Sequence, residues 1–208
     1  EGTGGAQLDL RVETTGALAA EWRQRYHALA TQKGRIVENM GSEFGDLSVA
    51  ERGIEVNDLE NVETPVKVRV QSKTLGLSRG TNGELSFTAM PSTGLVARYA
   101  SLSNRRQDVK IGFSHTLDDE WTIKLPPGSV VKSAPEDRSL QTPFGRLDVK
   151  VEKSAGKLVV KAKLRMDQTR IKPAEYAAFK TFCADVDRAL GERVVIGKPL
   201  AARNRVIA

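Results

Sequence analysis

The fold is decided by residues 142–166, TPFGRLDVKVEKSAGKLVVKAKLRM, which form a tight corner followed by two potential strands. Apolar and charged side chains alternate on both sides of Ser154-Ala155-Gly156. This period of two predicts a hairpin with one buried face and one solvated, basic face. The predicted inward residues are Leu147, Val149, Val151, Leu158, Val160, Ala162, Leu164 and Met166.

A helix is predicted directly after the hairpin, from about Pro173 to Leu190. Its apolar residues recur three or four positions apart, so they form one stripe that can cover the buried face of the hairpin. This stripe consists of Tyr176, Phe179, Phe182, Cys183, Val186 and Leu190. A hairpin packed on an amphipathic helix predicts a scaffold, and it contains no recognisable catalytic motif.

A second long helix is predicted from about Ala17 to Met40, with Thr14 or Thr15 as its cap. A strand is expected before it, and short strands separated by Gly and Pro turns follow it. There is no βαβ alternation, which excludes a doubly wound nucleotide fold. The expected fold class is mainly β with two helices (α+β), in which antiparallel sandwich-like sheets are covered by an N-terminal and a C-terminal amphipathic helix.

The expected division is into residues 1–104, with the long helix, and residues 105–208, with the terminal helix, and residues 101–107 form the seam. One compact unit fits the pattern equally well, because the chain of 208 residues can bury a substantial core in either arrangement. The start, EGTGG, resembles a cut inside a longer protein. The longest apolar runs fall far short of the ~20 residues that span a bilayer.

The net charge of +6 raises the possibility of an anionic partner. The basic residues of the strands occupy outward positions, where they keep sheets soluble. They are not interleaved with aromatic residues that could stack on bases, so nucleic-acid binding is not expected. The strand cations are Lys67, Arg69, Lys161, Lys163 and Arg165.

Cys183 is the single cysteine, which rules out an internal disulfide and disfavours a structural zinc site. Its place on the apolar stripe predicts a small buried hydrophobic side chain rather than a nucleophile. The two histidines are expected at the surface, His27 on the first helix and His115 in a hairpin turn. No cofactor and no metal site are expected.

The clustered carboxylates are interpreted as solvated turn residues, because a glycosidase would need two of them held across a cleft. No phosphate-binding loop and no Gly-x-Ser-x-Gly elbow occur in the sequence. These carboxylates are Asp118, Asp119, Glu120, Glu136, Asp137, Asp185 and Asp187.

Several local patterns resemble a β-rich domain of unknown function that follows the transglutaminase-like core in large bacterial envelope proteins. The resemblance extends over about residues 53–196. The segments that carry it are LVARYASLSNRR at 95–106, LPPG at 125–128, PED at 135–137, TPFG at 142–145 and IKPAEYAAF at 171–179.

The resemblance implies a non-catalytic accessory domain, periplasmic or envelope-associated, that docks onto a neighbouring domain or a protein partner. The catalytic Cys, His and Asp of that family belong to the upstream core, and no position here matches their motifs. The expected contact surfaces are the loops at residues 76–83 and 89–104.

Two other function classes stay open at this point. A cysteine-dependent hydrolase or transferase would assemble its site from distant segments, with Cys183 or His115 taking part. Carbohydrate binding on a sheet face would need exposed aromatic residues, whereas Trp22 and Trp121 both fall on apolar faces.

Overall fold

In the computed structural model the chain divides into two compact units, Glu1–Arg79 and Gly80–Ala208. The structure describes residues 5–44, 47–57, 59–74, 76, 78–81, 83–90 and 93–198. The boundary expected from the sequence, between residues 104 and 105, lies inside the second unit. The reason is that a short helix before residue 104 packs against the C-terminal helix of that unit.

The first unit is a three-stranded antiparallel sheet with two helices. The strand order is β1-β3-β2, so β3 lies between two strands that precede it in the chain. Both outer strands are antiparallel to β3, so β1 and β2 run in the same direction and the helix pair forms the crossover between them. The elements are β1 (Ala6–Thr14), α1 (Gly16–Tyr26), α2 (Leu29–Phe44), β2 (Leu47–Val56) and β3 (Val66–Thr74).

The strands of this unit have one apolar and one charged face. In β3, Val66, Val68 and Val70 are at most 3% exposed, while Lys67 between them is exposed. The helix α1 contacts β1 and β3, and α2 contacts β2. The period of two in the sequence is therefore confirmed for this sheet.

The single long N-terminal helix expected from the sequence is two helices, separated by His27 and Ala28. The side-chain amide of Gln32 donates a 2.8 Å hydrogen bond to the carbonyl of Tyr26 at the end of α1. This buried bond satisfies a terminal carbonyl that a continuous helix would have used internally. Leu29, inside the expected single helix, is the first residue of α2 and is 82% exposed.

The second unit contains two four-stranded sheets, with orders β7-β11-β10-β9 and β4-β5-β13-β8, and the two-stranded pair β12-β6. The pairings β7–β11, β11–β10, β10–β9, β12–β6, β5–β13 and β13–β8 are antiparallel. The elements are β4 (Arg79–Thr81), β5 (Glu84–Thr88), α3 (Leu95–Tyr99), β6 (Val109–Lys110), β7 (His115–Lys124), β8 (Val130–Ser133), β9 (Arg138–Thr142), β10 (Gly145–Ser154), β11 (Lys157–Met166), β12 (Arg170–Ile171), a 3₁₀ turn (Pro173–Glu175), α4 (Tyr176–Leu190) and β13 (Arg193–Gly197).

The predicted hairpin is confirmed as β10 and β11, which pair in continuous register from Gly145 opposite Met166 to Ser154 opposite Lys157. Its inward residues on β11 are at most 4% exposed. The predicted stripe on α4 is also confirmed, and all six of its residues are at most 5% exposed. Phe144, in the corner before β10, contacts the rings of Phe179 and Phe182. Side chains from both large sheets and from α4 belong to one hydrophobic core.

Three features of this unit differ from the sequence-based expectation. Residues 95–97, expected as an apolar piece of a loop, lie in the helix α3. The apolar alternation of Val109, Ile111 and Phe113 indicates a longer strand, but the strand is limited to β6, because Gly112 adopts a φ of +90° and turns the chain there. The strand β13 was not predicted, since its apolar residues form a run without alternation.

The fold class is therefore mainly β with antiparallel sheets, and the described residues contain four α-helices instead of the expected two. No helix in the described part of the chain is long and apolar enough to cross a bilayer.

Candidate functional site

Cys183 lies on the buried stripe of α4 and is 0% exposed. Burial, and secondarily the nearby Asp187 carboxylate, raise the pKa of this thiol to about 12. Both causes disfavour the thiolate, which is the nucleophilic form. The geometry thus supports the predicted role of Cys183 as a core residue.

Neither histidine forms a described contact with Cys183. His27 is exposed at the end of α1, where its Nδ1 lies 2.8 Å from the carbonyl of Gln24. His115 is half-buried against the ring of Phe113, with 5.7 Å between ring centroids. The predicted exposed turn position of His115 is wrong, because the turn at Gly112 ends earlier and His115 begins β7.

The clustered carboxylates have separate structural roles. Asp118 and Glu120 lie within β7 rather than in a turn, and they pair with Lys163 and Lys161 at 3.1 and 3.5 Å. Asp119, between them, has a raised pKa because of partial desolvation and of the neighbouring Asp118 charge, although part of its surface stays exposed. No group of three or more potential metal ligands occurs among the residues that the structure describes.

Asp137 and Asp187 each anchor a neighbouring backbone segment. Asp137 accepts bonds of 2.8 Å from the Lys150 ammonium and from the Val151 N–H, and these bonds lower its pKa. Asp187 on α4 accepts 2.8 and 2.9 Å bonds from the N–H groups of Leu95 and Val96, which open α3. These two carboxylates therefore connect segments of the fold.

Most cations on the solvated face of the β7-β11-β10-β9 sheet are ion-paired. Each carboxylate on it lies within 3.5 Å of a cation on a neighbouring strand or on its own strand. A face with balanced charges attracts a polyanion only weakly, because the local fields largely cancel. The pairs are Lys161–Glu120, Lys161–Glu152, Lys163–Asp118, Lys150–Asp137 and Arg146–Asp148.

The charged face of the first unit borders a shallow concavity of about 440 Å³. Arg69 contributes to its lining and donates two 2.9 Å hydrogen bonds to the carboxylate of Asp9. Lys67, also in the lining, lies 3.4 Å from Glu13. The cations that line the concavity are therefore all ion-paired with described carboxylates.

The Arg69–Asp9 pair should make the first unit weakly pH-dependent. The hydrogen bond from Arg69 is the main cause that lowers the pKa of Asp9 to about 2. A lowered folded-state pKa stabilises the fold above the ordinary carboxyl pKa of about 4, and this stabilisation is lost as the pH falls toward 2. Because Asp9 is 41% exposed, we expect Asp9→Asn to cost only about 0.5 kcal/mol at neutral pH and almost nothing near pH 2. Urea unfolding of both proteins at the two pH values measures the difference, and an equal cost at both would contradict it.

One surface of the second unit gathers six cations, of which only Arg170 has a carboxylate partner among the described residues. It surrounds the loop at residues 101–107 where this loop crosses the start of α4. The carbonyl of Leu102 accepts bonds from the Tyr176 hydroxyl at 2.9 Å and the Lys180 ammonium at 2.7 Å. We call it the basic loop surface and define it by Leu102, Arg105, Arg106, Lys110, Arg170, Lys172 and Lys180.

The remaining cations of this surface are placed by the same elements. The Arg105 guanidinium lies over the ring of Tyr176, 5.8 Å from its centroid. Lys110 and Arg170 face each other in the β6–β12 pair. Lys172 directly follows β12. Sequence reasoning missed this surface because it assigned the loop to a domain seam, although the dipeptide Arg105-Arg106 was a visible signal.

The comparisons with known proteins concern the second unit. Residues 84–196 match a family described as a domain of unknown function with a solved structure (DUF3858). The match runs from the first residue of β5 into β13 and includes the basic loop surface. The first unit lies outside it, so the part of the earlier resemblance before residue 84 is not supported. No curated protein matches the chain.

A crystal structure from Parabacteroides distasonis ATCC 8503, described as a "putative protease", is similar over 57% of this chain. The sequence identity is 13% and the TM-score is 0.47. This chain covers 24% of that chain. A likeness of this size carries no argument about activity.

Proposed function

This chain belongs to the DUF3858 family, and we propose that it is a non-catalytic interaction domain of a larger bacterial protein. In this proposal it is an accessory, β-sandwich-like domain of an envelope-associated protein. It docks onto a neighbouring domain or a protein partner, and a transglutaminase-like core elsewhere in the parent protein supplies the catalysis.

The non-catalytic part of the proposal is supported by how the candidate catalytic groups are used. Cys183 is buried with a raised pKa. Asp187 is fully engaged by backbone N–H groups. The half-buried His115 is held against Phe113. Each of these side chains contributes to packing or capping, and nucleophilic catalysis needs at least two of them free and adjacent.

The basic loop surface is the observation that supports the proposed role in binding another domain or protein. Most of its cations lie on a loop and at a strand end that contact the helix α4. Most of them have no carboxylate partner among the described residues. Contact surfaces are commonly loops held by a rigid scaffold. The carbohydrate alternative finds no support, since Trp22 is half-buried against Tyr26 and Trp121 packs on the core.

Thiol labelling tests the non-catalytic part. We expect a disulfide reagent to modify native Cys183 at least about 100-fold more slowly than the same residue in guanidinium-unfolded protein, because reaction requires a local opening. Cys183→Ala, which has no thiol, gives the background rate. Rapid labelling of the native protein, with an apparent thiol pKa below the free value of about 8.5, would instead support a cysteine-dependent hydrolase or transferase.

A further inference from the structure

The net positive charge of this protein comes from its second unit. Residues 80–208 contain 22 Lys and Arg against 14 Asp and Glu, whereas residues 1–79 contain 10 against 12. Within the second unit most cations of the broad sheet face are ion-paired. Part of the unbalanced charge lies on the basic loop surface.

The cations of the basic loop surface are mostly unneutralised. Of its six cations, Arg170 alone forms an ion pair among the described residues, with Asp108. Lys180 is bound to a neutral carbonyl, that of Leu102. Glu175 is the other carboxylate close by, and it accepts a bond from the N–H of Lys172. The surface thus has six positive charges and two negative ones.

Arg105 is the cation whose environment most favours an external anion. It is half-buried over Tyr176, and its buried Nε has no hydrogen-bond partner among the residues that the structure describes. A buried guanidinium nitrogen without an acceptor is unfavourable, because the hydrogen bond to water that it lost is not replaced. A carboxylate reaching the solvent-accessible side of this guanidinium would supply a counter-charge.

Leu102 gives the surface an apolar centre. Its side chain is 51% exposed, while its carbonyl is fixed by Tyr176 and Lys180. An exposed leucine on an anchored loop, with cations around it, fits a partner that presents an apolar side chain flanked by carboxylates.

We propose that the basic loop surface binds an acidic polypeptide segment, with carboxylates on Arg105, Arg106 and Lys172 and an apolar side chain on Leu102. This inference rests on the proposed function and names the chemistry of the partner. A protein partner is favoured over nucleic acid because the surface has no exposed aromatic ring for base stacking, since Tyr176 is 2% exposed. A single leucine is also a small anchor for a membrane surface.

The test titrates the whole chain into a fluorescent synthetic peptide of aspartate and glutamate with one central leucine. We expect saturable binding that weakens as salt rises, because exposed charges are screened beyond about 10 Å at 0.1 M salt. Arg106→Gln combined with Lys172→Gln, both at exposed positions, should weaken binding about tenfold. Leu102→Ala should weaken it about threefold without changing the salt dependence.

Lys161→Gln combined with Lys163→Gln is the matched control, because it removes the same net charge from the ion-paired sheet face. It should weaken binding less than about twofold. Equal weakening by both pairs would show attraction to net charge alone and would overturn the inference. So would tighter binding of a single-stranded oligonucleotide, or of phosphatidylserine vesicles, than of the peptide.

The absence of peptide binding would also overturn the inference. The rate of thiol labelling does not depend on surface charge. If Cys183 is unreactive and the peptide does not bind, the proposal of an acidic partner is refuted and the proposal of a non-catalytic domain is retained. Rapid labelling of Cys183 refutes the proposal of a non-catalytic domain, whether or not the peptide binds.

Discussion

Gly145→Ala is expected to destabilise the second unit by about 3 kcal/mol or more. A Cβ at this position would lie 2.1 Å from the backbone carbonyl oxygen of Arg165 and 3.3 Å from Cζ of Phe182. The backbone oxygen belongs to the adjacent strand, so the clash is relieved only if β10 and β11 separate at their ends. The glycine is thus required by close approach of two strands.

Gly197→Ala is the matched control, because it adds the same methyl group to a buried strand position of the same unit. There the nearest atoms are Cγ of Glu84 at 3.2 Å and Cε of Lys132 at 3.5 Å, which are parts of flexible side chains. We expect a change of at most about 0.5 kcal/mol. Urea unfolding followed by circular dichroism compares the two variants, and equal stabilities would contradict the packing at Gly145.

Asp187→Ala is expected to cost about 2–4 kcal/mol. The carboxylate accepts bonds from the N–H groups of Leu95 and Val96 and from the Thr93 hydroxyl, the last at 3.0 Å. Together they act as the N-terminal cap of α3, whose own preceding residue, Gly94, provides no side-chain cap. Without Asp187, two part-buried N–H groups lose their acceptor.

Asp185→Ala, on the same helix, is the control for the loss of a carboxylate. Asp185 forms an ion pair with Arg188 three residues later, and such pairs contribute at most about 0.5 kcal/mol. A second readout is available at Cys183, because Asp187 contributes to its raised pKa. Asp187→Ala should lower that thiol pKa and Asp185→Ala should not. Equal losses of stability in the two variants would contradict the capping role.

The elements that the sequence predicted correctly are those whose burial is periodic. The hairpin of β10 and β11 and the helix α4 each present one face to the core. Their apolar residues therefore recur with a period of two in the strands and of 3.6 in the helix. The run Val194-Val195-Ile196 has no such period, and β13 was missed for that reason. At the break of the first helix, Gln32 binds a carbonyl six residues away. A contact of this kind does not change the spacing of apolar residues, so the sequence pattern did not indicate it.

Less of the candidate site could be predicted from the sequence. The predicted burial of Cys183 followed from its stripe, and its exposure of 0% agrees. The cap that Asp187 gives to α3 joins residues more than ninety positions apart. The basic loop surface likewise depends on Leu102 meeting Tyr176 and Lys180 across the fold. Contacts between distant segments are set by topology, and no local pattern encodes them.

The central position of β3 constrains the order of events during synthesis of the first unit. β1 and β2 bond to β3 and not to each other. Before Val66–Thr74 leaves the ribosome, the nascent chain therefore contains two strands that cannot form the native hydrogen-bond ladder. Sheet assembly begins only when the last strand inserts between the earlier two, and ribosomal pausing before that point would leave two unpaired edges open to other chains.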